Sequence, residues 1–136
     1  MDLGTTLALG FLAHLIGDYL IQSHWMATKK TERWWPAVAH AVTYGLPFLV
    51  ITRNPATLAI IVVTHAVIDR YRLARHVVWA KNHLGPKPPP WPECRATGYP
   101  SDTPPWLAVW LMIIADNTLH LVINSAALWW AVTTAL

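Results

Sequence analysis

Four long apolar stretches, joined by short polar segments, dominate this chain. A helix needs roughly 20 apolar residues, at a rise of about 1.5 Å each, to cross a bilayer core about 30 Å thick. The stretches reach that length, and only 12% of the residues are charged, against ~25% in soluble domains. The chain also has nine tryptophans, whose indole rings favour the membrane interface. The sequence therefore predicts an integral membrane protein with several transmembrane helices.

The same stretches predict the fold class, an all-α bundle of four transmembrane helices in a single domain over residues 1–136. We expect the helices at about 3–26, 34–52, 55–83 and 105–134, with a proline-rich cytoplasmic loop at 84–104. Asn54 and Pro55 are typical of a helix start, as an N-cap and a first-turn proline. The third helix is apolar only until Ile68, so its later part should leave the membrane.

Basic residues concentrate in two of the connections. Lys29, Lys30 and Arg33 follow the first stretch, and the segment 70–95 carries most of the others. Because cytoplasmic loops are enriched in lysine and arginine, we expect both connections in the cytoplasm and both termini outside the cell membrane. The net charge of +3 then indicates membrane lipids as partners rather than nucleic acid. We also expect a homo-oligomer.

Ionisable side chains recur inside the expected spans at a helical spacing. Three spans carry a histidine and an aspartate four residues apart, and the second span carries one histidine. These residues are His14 and Asp18, His65 and Asp69, Asp116 and His120, and His40. Positions four residues apart share a helix face, and depths estimated from the helical rise agree between the spans. Because unpartnered charges are costly in lipid, these groups should converge on one cluster.

Such a cluster is compatible with three kinds of site. Imidazole and carboxylate suit a divalent metal, with zinc placed first and iron or manganese as alternatives. The same groups can form a proton or ion relay, or hydrogen bonds that only hold helices together. The expected metal ligands are His14, Asp18, His65, Asp69, Asp116 and His120. His40, Asp18 and Asp69 are the candidate catalytic residues, with His40 as a further ligand or the general base.

Four segments at these positions resemble, in order, the motifs of an uncharacterised family of small bacterial and phage membrane proteins, domain of unknown function 3307. The segments are HLIGDYLIQSHWMATKK, HAVTYG, THAVIDRYR and IADNTLHL. The resemblance implies a membrane location and a shared polar site. The positions that it marks are His14, Gly17, Asp18, Gln22, His40, His65, Asp69, Asp116 and His120. The chain differs at Asn117, where the family usually has glutamine; the amide is shortened but kept.

A more distant similarity, to membrane proteins described as metal-dependent hydrolases with His-x-x-x-Asp motifs, favours hydrolysis. Our leading hypothesis is a membrane-embedded, metal-dependent hydrolase that acts on a lipid-borne or membrane-proximal substrate. One alternative is a non-enzymatic phage or bacterial membrane protein whose His–Asp pairs are structural. The other is an ion or proton carrier. The sequence leaves open whether the protein is an enzyme, because fold and motif analogy do not establish chemistry.

Overall fold

The computed structural model describes residues 1–134, and this range is helical without a β-strand. The α-helices are α1 Leu3–Leu15, α2 His24–Lys29, α3 Trp34–Gly45, α4 Pro55–Tyr71, α5 Ala74–Asn82, α6 Trp91–Cys94 and α7 Pro105–Thr134. A π-helical turn, Ile16–Ile21, continues α1, and a 3-10 helix, Leu46–Val50, continues α3. The expected all-α class is confirmed for the described residues.

Two elements are long and apolar enough to cross a membrane, judged by length and composition alone. They are Leu3–Ile21 and α7, so within residues 1–134 the four expected spans are reduced to two candidates. α3 has only 12 residues, about 18 Å of helix, before the chain tightens into the 3-10 helix. α4 has 17 residues and ends where Arg72 adopts a positive φ of 52°, which a right-handed helix does not tolerate.

Two of the expected helices are interrupted. The expected helix 3–26 breaks at Gln22 and Ser23, which are extended. Ser23 then caps α2 by accepting a hydrogen bond from the Met26 backbone nitrogen at 3.3 Å. The expected helix 55–83 is split at Arg72 into α4 and α5. These breaks arise from backbone angles at single residues, which the hydrophobic pattern does not report.

The start of α4 agrees with the sequence. The side-chain oxygen of Asn54 accepts hydrogen bonds from the backbone nitrogens of Ala56 and Thr57, at 3.0 and 3.2 Å. Pro55 is the first residue of the helix, where its missing N–H would have no partner in any case. The expected N-cap and first-turn proline are both present.

The chain divides into two compact units. The first consists of Met1–Tyr71 together with the chain from His120 onward, and the second of Arg72–Leu119. The core of the first unit contains Ala13, Tyr44, Phe48, Ile61, Ala127 and Leu128. Helices approach closely at glycines there: a Cβ on Gly45 would lie 2.6 Å from Val62 Cγ2. This approach brings the polar side chains of α3 and α4 together.

In the second unit, arginine side chains bind the loop that follows α5. Arg72 donates to the carbonyl of Ala96 at 2.8 Å, and Arg75 to that of Arg95 at 2.9 Å. Gly98 has a φ of +85°, and a Cβ there would collide with the Arg75 carbonyl oxygen, so this turn requires glycine. The loop is therefore an ordered part of this unit.

The single cysteine lies in the second unit and supplies no reactive thiolate. Its side chain is buried, and burial raises the pKa of the Cys94 thiol, with Glu93 and Asp102 acting in the same direction. A raised pKa favours the protonated form, which is neither the nucleophile nor the metal ligand. Candidate chemistry must therefore come from the histidines and carboxylates.

Candidate metal centre

Five of the expected site residues meet inside the first unit. The π-helical turn supplies one of them, α3 one, α4 two and α7 one. They are Asp18, His40, His65, Asp69 and His120. The expected convergence of ionisable groups from separate helices is found for these five residues.

Asp18 is positioned by the π-helical turn. Such turns are rare and are often found at functional sites. Gly17 is the second residue of the turn and is buried against the ring of Tyr44. A Cβ at Gly17 would lie 2.5 Å from Tyr44 Cδ2. The position of Asp18 thus depends on a widened turn and on the absence of a side chain at the preceding residue.

Four ligand-type atoms form the centre of the cluster. The Nε2 atoms of His40 and His65 are 2.9 Å apart. Asp18 Oδ1 lies 3.2 Å from the His40 nitrogen and 3.4 Å from the His65 nitrogen. Asp69 Oδ2 lies 3.3 and 3.2 Å from the same two nitrogens. Neighbouring donors on one metal ion, with bonds of about 2.0–2.2 Å, are about 2.8–3.6 Å apart. The distances of either carboxylate oxygen to the two imidazole nitrogens therefore fit a shared metal.

His120 extends the cluster beyond Asp69. Its Nε2 atom is 3.6 Å from Asp69 Oδ1, and its ring centroid is 4.2 Å from that of His65. Two groups of three residues can therefore hold a metal by geometry, Asp18–His40–His65 and His65–Asp69–His120. His65 belongs to both groups, which makes it the central residue of the site.

The burial and chemistry of these residues suit a metal ion. The three histidines and Asp69 are at most 4% exposed, whereas the Asp18 side chain keeps 12% of its surface exposed. Buried carboxylates need a compensating cation, and the mixture of imidazole and carboxylate is typical of zinc, iron or manganese.

The chain itself supplies one compensating cation. Lys30 Nζ lies 2.8 Å from Asp69 Oδ2. Sequence reasoning missed this contact, because nothing in the local pattern distinguishes Lys30 from Lys29 beside it. Gln22, which the family resemblance marks, lies next to the centre, with its Nε2 atom 2.7 Å from His40 Nε2.

His14 lies beside the centre in a chain of hydrogen bonds. Its Nδ1 atom is 2.9 Å from the Tyr44 hydroxyl and 3.7 Å from Asp18 Oδ2. Asn124 of α7 donates to the same hydroxyl, which can in turn donate its hydrogen to His14. Neither group of three includes His14. At this position His14 can orient the Asp18 carboxylate. Tyr44 could have been found from the sequence, because it lies four residues after His40 and so on the same helix face.

Replacing Tyr44 with phenylalanine tests this chain of hydrogen bonds. The ring is kept, but His14 and Asn124 both lose the hydroxyl in a buried environment. We expect the free energy of unfolding to fall by about 1–3 kcal/mol, measured by thermal unfolding in detergent. Tyr71→Phe is the matched control, because Tyr71 is 50% exposed. Equal stability of Tyr44→Phe and wild type would contradict the role given to the hydroxyl.

Asp116 is the remaining expected ligand. It lies on α7, four residues before His120, and belongs to the second unit. The two groups of three do not include it. Its role as a ligand stays a prediction.

The comparison with protein families decides the identity of the chain at the family level. A model described as "Protein of unknown function (DUF3307)" matches residues 6–88. The chain belongs to the DUF3307 family. The match contains Asp18, His40, His65 and Asp69, and it ends before α7, which carries His120. The expected family is confirmed, and no curated protein or solved structure matches this DUF3307 chain.

Proposed function

We propose that this DUF3307 protein is a membrane-embedded, metal-dependent hydrolase that acts on a lipid-borne or membrane-proximal substrate. One observation carries the proposal. The two imidazole nitrogens of His40 and His65 are 2.9 Å apart, and each lies 3.2–3.4 Å from a carboxylate oxygen of Asp18 and of Asp69. A divalent metal among these atoms would replace close polar contacts with bonds to one cation.

We assign the roles by position. His40, His65 and Asp69 are the buried ligands, and His120 supports Asp69 from its other oxygen, at 3.6 Å. Asp18 is a ligand and, as the carboxylate with the greater exposure, also the group best placed to exchange a proton with water. Zinc is the first candidate, with iron and manganese as alternatives.

The metal would act as a Lewis acid and increase the acidity of water at neutral pH. Hydrolysis needs no redox partner. The water oxygen forms a bond to the acyl carbon or phosphorus, and the bond from that atom to the leaving oxygen breaks. The proton lost by water passes through the more exposed Asp18 carboxylate to the leaving oxygen, which keeps the electron pair of the broken bond.

The proposed location is the bilayer, where the first unit would form a four-helix bundle of α1 with its π-helical turn, α3 with its 3-10 helix, α4 and the part of α7 from His120 onward. In support, Leu20, Val50, Val63 and Val122 are all more than half exposed, and a soluble protein rarely leaves so much apolar surface in water. Helices shorter than the hydrocarbon core can be accommodated by local thinning of the bilayer. In this topology both termini are outside and the basic connections are cytoplasmic.

The test is a metal analysis of the detergent-purified protein. The protein is stripped with a chelator, reloaded separately with zinc, iron and manganese, and freed of unbound ions before elemental analysis. We expect stoichiometric retention of one of these metals by the wild type. Retention should be lost in Asp18→Ala and Asp69→Ala but kept in the control Asp102→Ala, an exposed aspartate of the second unit.

The same preparations test hydrolysis and location. Mixed micelles of bacterial membrane lipids are incubated with the loaded protein, and water-soluble products should appear only with metal present. Extraction of cell membranes at alkaline pH should leave the protein in the membrane fraction. A wild type that retains no metal after reloading would refute the proposed function and leave the His–Asp contacts as structural.

A further inference from the structure

Lys30 differs from Lys29, the other lysine of its connection, by its contact with the centre. Its ammonium group is 2.8 Å from Asp69 Oδ2, and its side chain is only 17% exposed. Lys29, the preceding residue, pairs instead with Glu32 at the surface, and its side chain is 46% exposed. The two neighbours thus have the same charge and different environments.

A second contact holds the turn that carries Lys30. Arg70, which follows Asp69 in α4, donates from Nη1 to the backbone carbonyl of Thr31 at 2.8 Å. Adjacent residues of α4 therefore bind adjacent residues of the turn. Because two contacts place this turn, the ammonium group is held beside the centre rather than free to sample solvent.

Charge balance indicates what Lys30 can bind. A divalent metal would neutralise the carboxylates of Asp18 and Asp69, so the ammonium group would leave an excess positive charge in a largely buried site. The metal and the ammonium group would also repel each other, because both would lie next to Asp69 Oδ2. An anion that contacts both cations removes this repulsion, and lysine is a common point-charge ligand for phosphate.

The side from which a ligand can reach the centre agrees with the binding of an anion by Lys30. Among the residues around the centre, Gln22, Lys30 and Asp18 keep part of their surface exposed, whereas His40 and His65 are buried. A group that enters here meets the Lys30 ammonium and the Gln22 amide before it meets the imidazoles. Both can donate hydrogen bonds to oxygen.

We infer that Lys30 binds a phosphate group of the substrate beside the metal, so that the substrate of this hydrolase is a phosphate-bearing molecule. The inference rests on the proposed function. The phosphate can belong to a lipid headgroup or to a soluble phosphate compound. In either case Lys30 is a residue that contacts the substrate and does not bind the metal.

The experiment measures metal binding and phosphate binding separately, in detergent, on wild type, Lys30→Met, Lys30→Arg and the control Lys29→Met. Cobalt replaces the native metal as a spectroscopic probe, and the binding of inorganic phosphate is measured by calorimetry and by the visible absorption of cobalt.

We expect all four proteins to bind cobalt. Lys30→Met should bind it at least as tightly as wild type, because a competing cation is gone. Lys30→Met should bind phosphate about 10-fold more weakly, as expected for the loss of one charge-assisted hydrogen bond. Lys30→Arg should keep most of the affinity, and Lys29→Met should match wild type.

Mixed micelles distinguish the sources of the phosphate. Phosphatidic acid is compared with an uncharged diacylglycerol at equal concentration, beside inorganic phosphate in plain detergent. A cobalt spectrum that changes only with phosphatidic acid identifies a headgroup, and one that changes equally with inorganic phosphate identifies a soluble source. Both results support the inference.

Two results overturn the inference, and they are distinguishable. If wild type binds cobalt but neither phosphate nor phosphatidic acid, or if Lys30→Met binds as tightly as wild type whichever of the two wild type binds, the role of Lys30 is refuted and the metal centre stands. If wild type binds no metal, the proposed function fails and the inference fails with it.

Discussion

Replacing His65 with phenylalanine is expected to lower the zinc affinity of the protein by more than about 100-fold, because the loss of residues that merely support a ligand already costs 10–100-fold. His65 belongs to both groups that can hold a metal. Its Nε2 atom lies 2.9 Å from His40 Nε2 and 3.2 Å from Asp69 Oδ2. No other residue of the cluster takes part in both groups.

Phenylalanine is chosen because the His65 ring also has a packing role. It stacks on Tyr44 with ring centroids 3.7 Å apart, and alanine would leave a cavity that itself destabilises the protein. His24→Phe, at an exposed position of α2, is the matched control and should bind zinc like wild type. Competition with a zinc-binding dye measures the affinity, and thermal unfolding verifies the fold. A folded His65→Phe protein that binds zinc within a few-fold of wild type would exclude the proposed centre.

Replacing Gly17 with alanine is expected to reduce the free energy of unfolding by about 3 kcal/mol, at the upper end of the usual cost of overpacking. The new methyl group would lie 2.5 Å from Tyr44 Cδ2 and 3.1 Å from two further ring atoms. The Tyr44 ring is buried, stacks on His65 and packs against Phe48, with ring centroids 5.4 Å apart, so it has no space into which to move. Zinc affinity should fall as well, because Gly17 precedes Asp18 in the π-helical turn.

Gly4→Ala is the control for this substitution. A Cβ at Gly4 would have its closest described neighbour in Asp2 Oδ1, at 3.3 Å. This exposed side chain caps α1 through the Thr5 backbone nitrogen and needs to shift by only a few tenths of an ångström. Alanine there should leave stability unchanged or raise it slightly, because it favours the helix. Thermal unfolding in one detergent compares the three proteins. If Gly17→Ala is as stable as wild type, the close contact between the π-helical turn and the Tyr44 ring is contradicted.

The spacing of the histidines and aspartates predicted part of the site. Residues four apart on a helix share a face, and for two of the three predicted pairs the structure gives a contact: His65 to Asp69 at 3.2 Å, and His14 to Asp18 at 3.7 Å. The cost of placing such groups in an apolar environment predicted that separate helices would bring them together. Neither rule says which pairs lie at the centre of the cluster. The sequence therefore predicted His14 and His65 alike as metal ligands.

The helix boundaries, like the site, were predicted only in part. The cap at Asn54 and Pro55 was predicted because capping depends on two or three consecutive residues. The breaks at Gln22 and at Arg72 were not, because neither position carries a proline or glycine. Within residues 1–134, two elements rather than four are long and apolar enough to span a membrane, because α3 tightens into the 3-10 helix and α4 ends before Arg72.

The helical class, the apolar surface and the paired polar positions can be predicted from the amino-acid sequence, because each follows from composition or from a period of a few residues along the chain. The packing of the helices is needed to show that Lys30 contacts Asp69, that Asn124 reaches Tyr44 and that His65 is shared by two groups. These contacts join residues between 25 and 80 positions apart. Their existence depends on how closely the helices pack, where differences of a few tenths of an ångström separate a bond from no bond, and local sequence patterns carry no record of those distances.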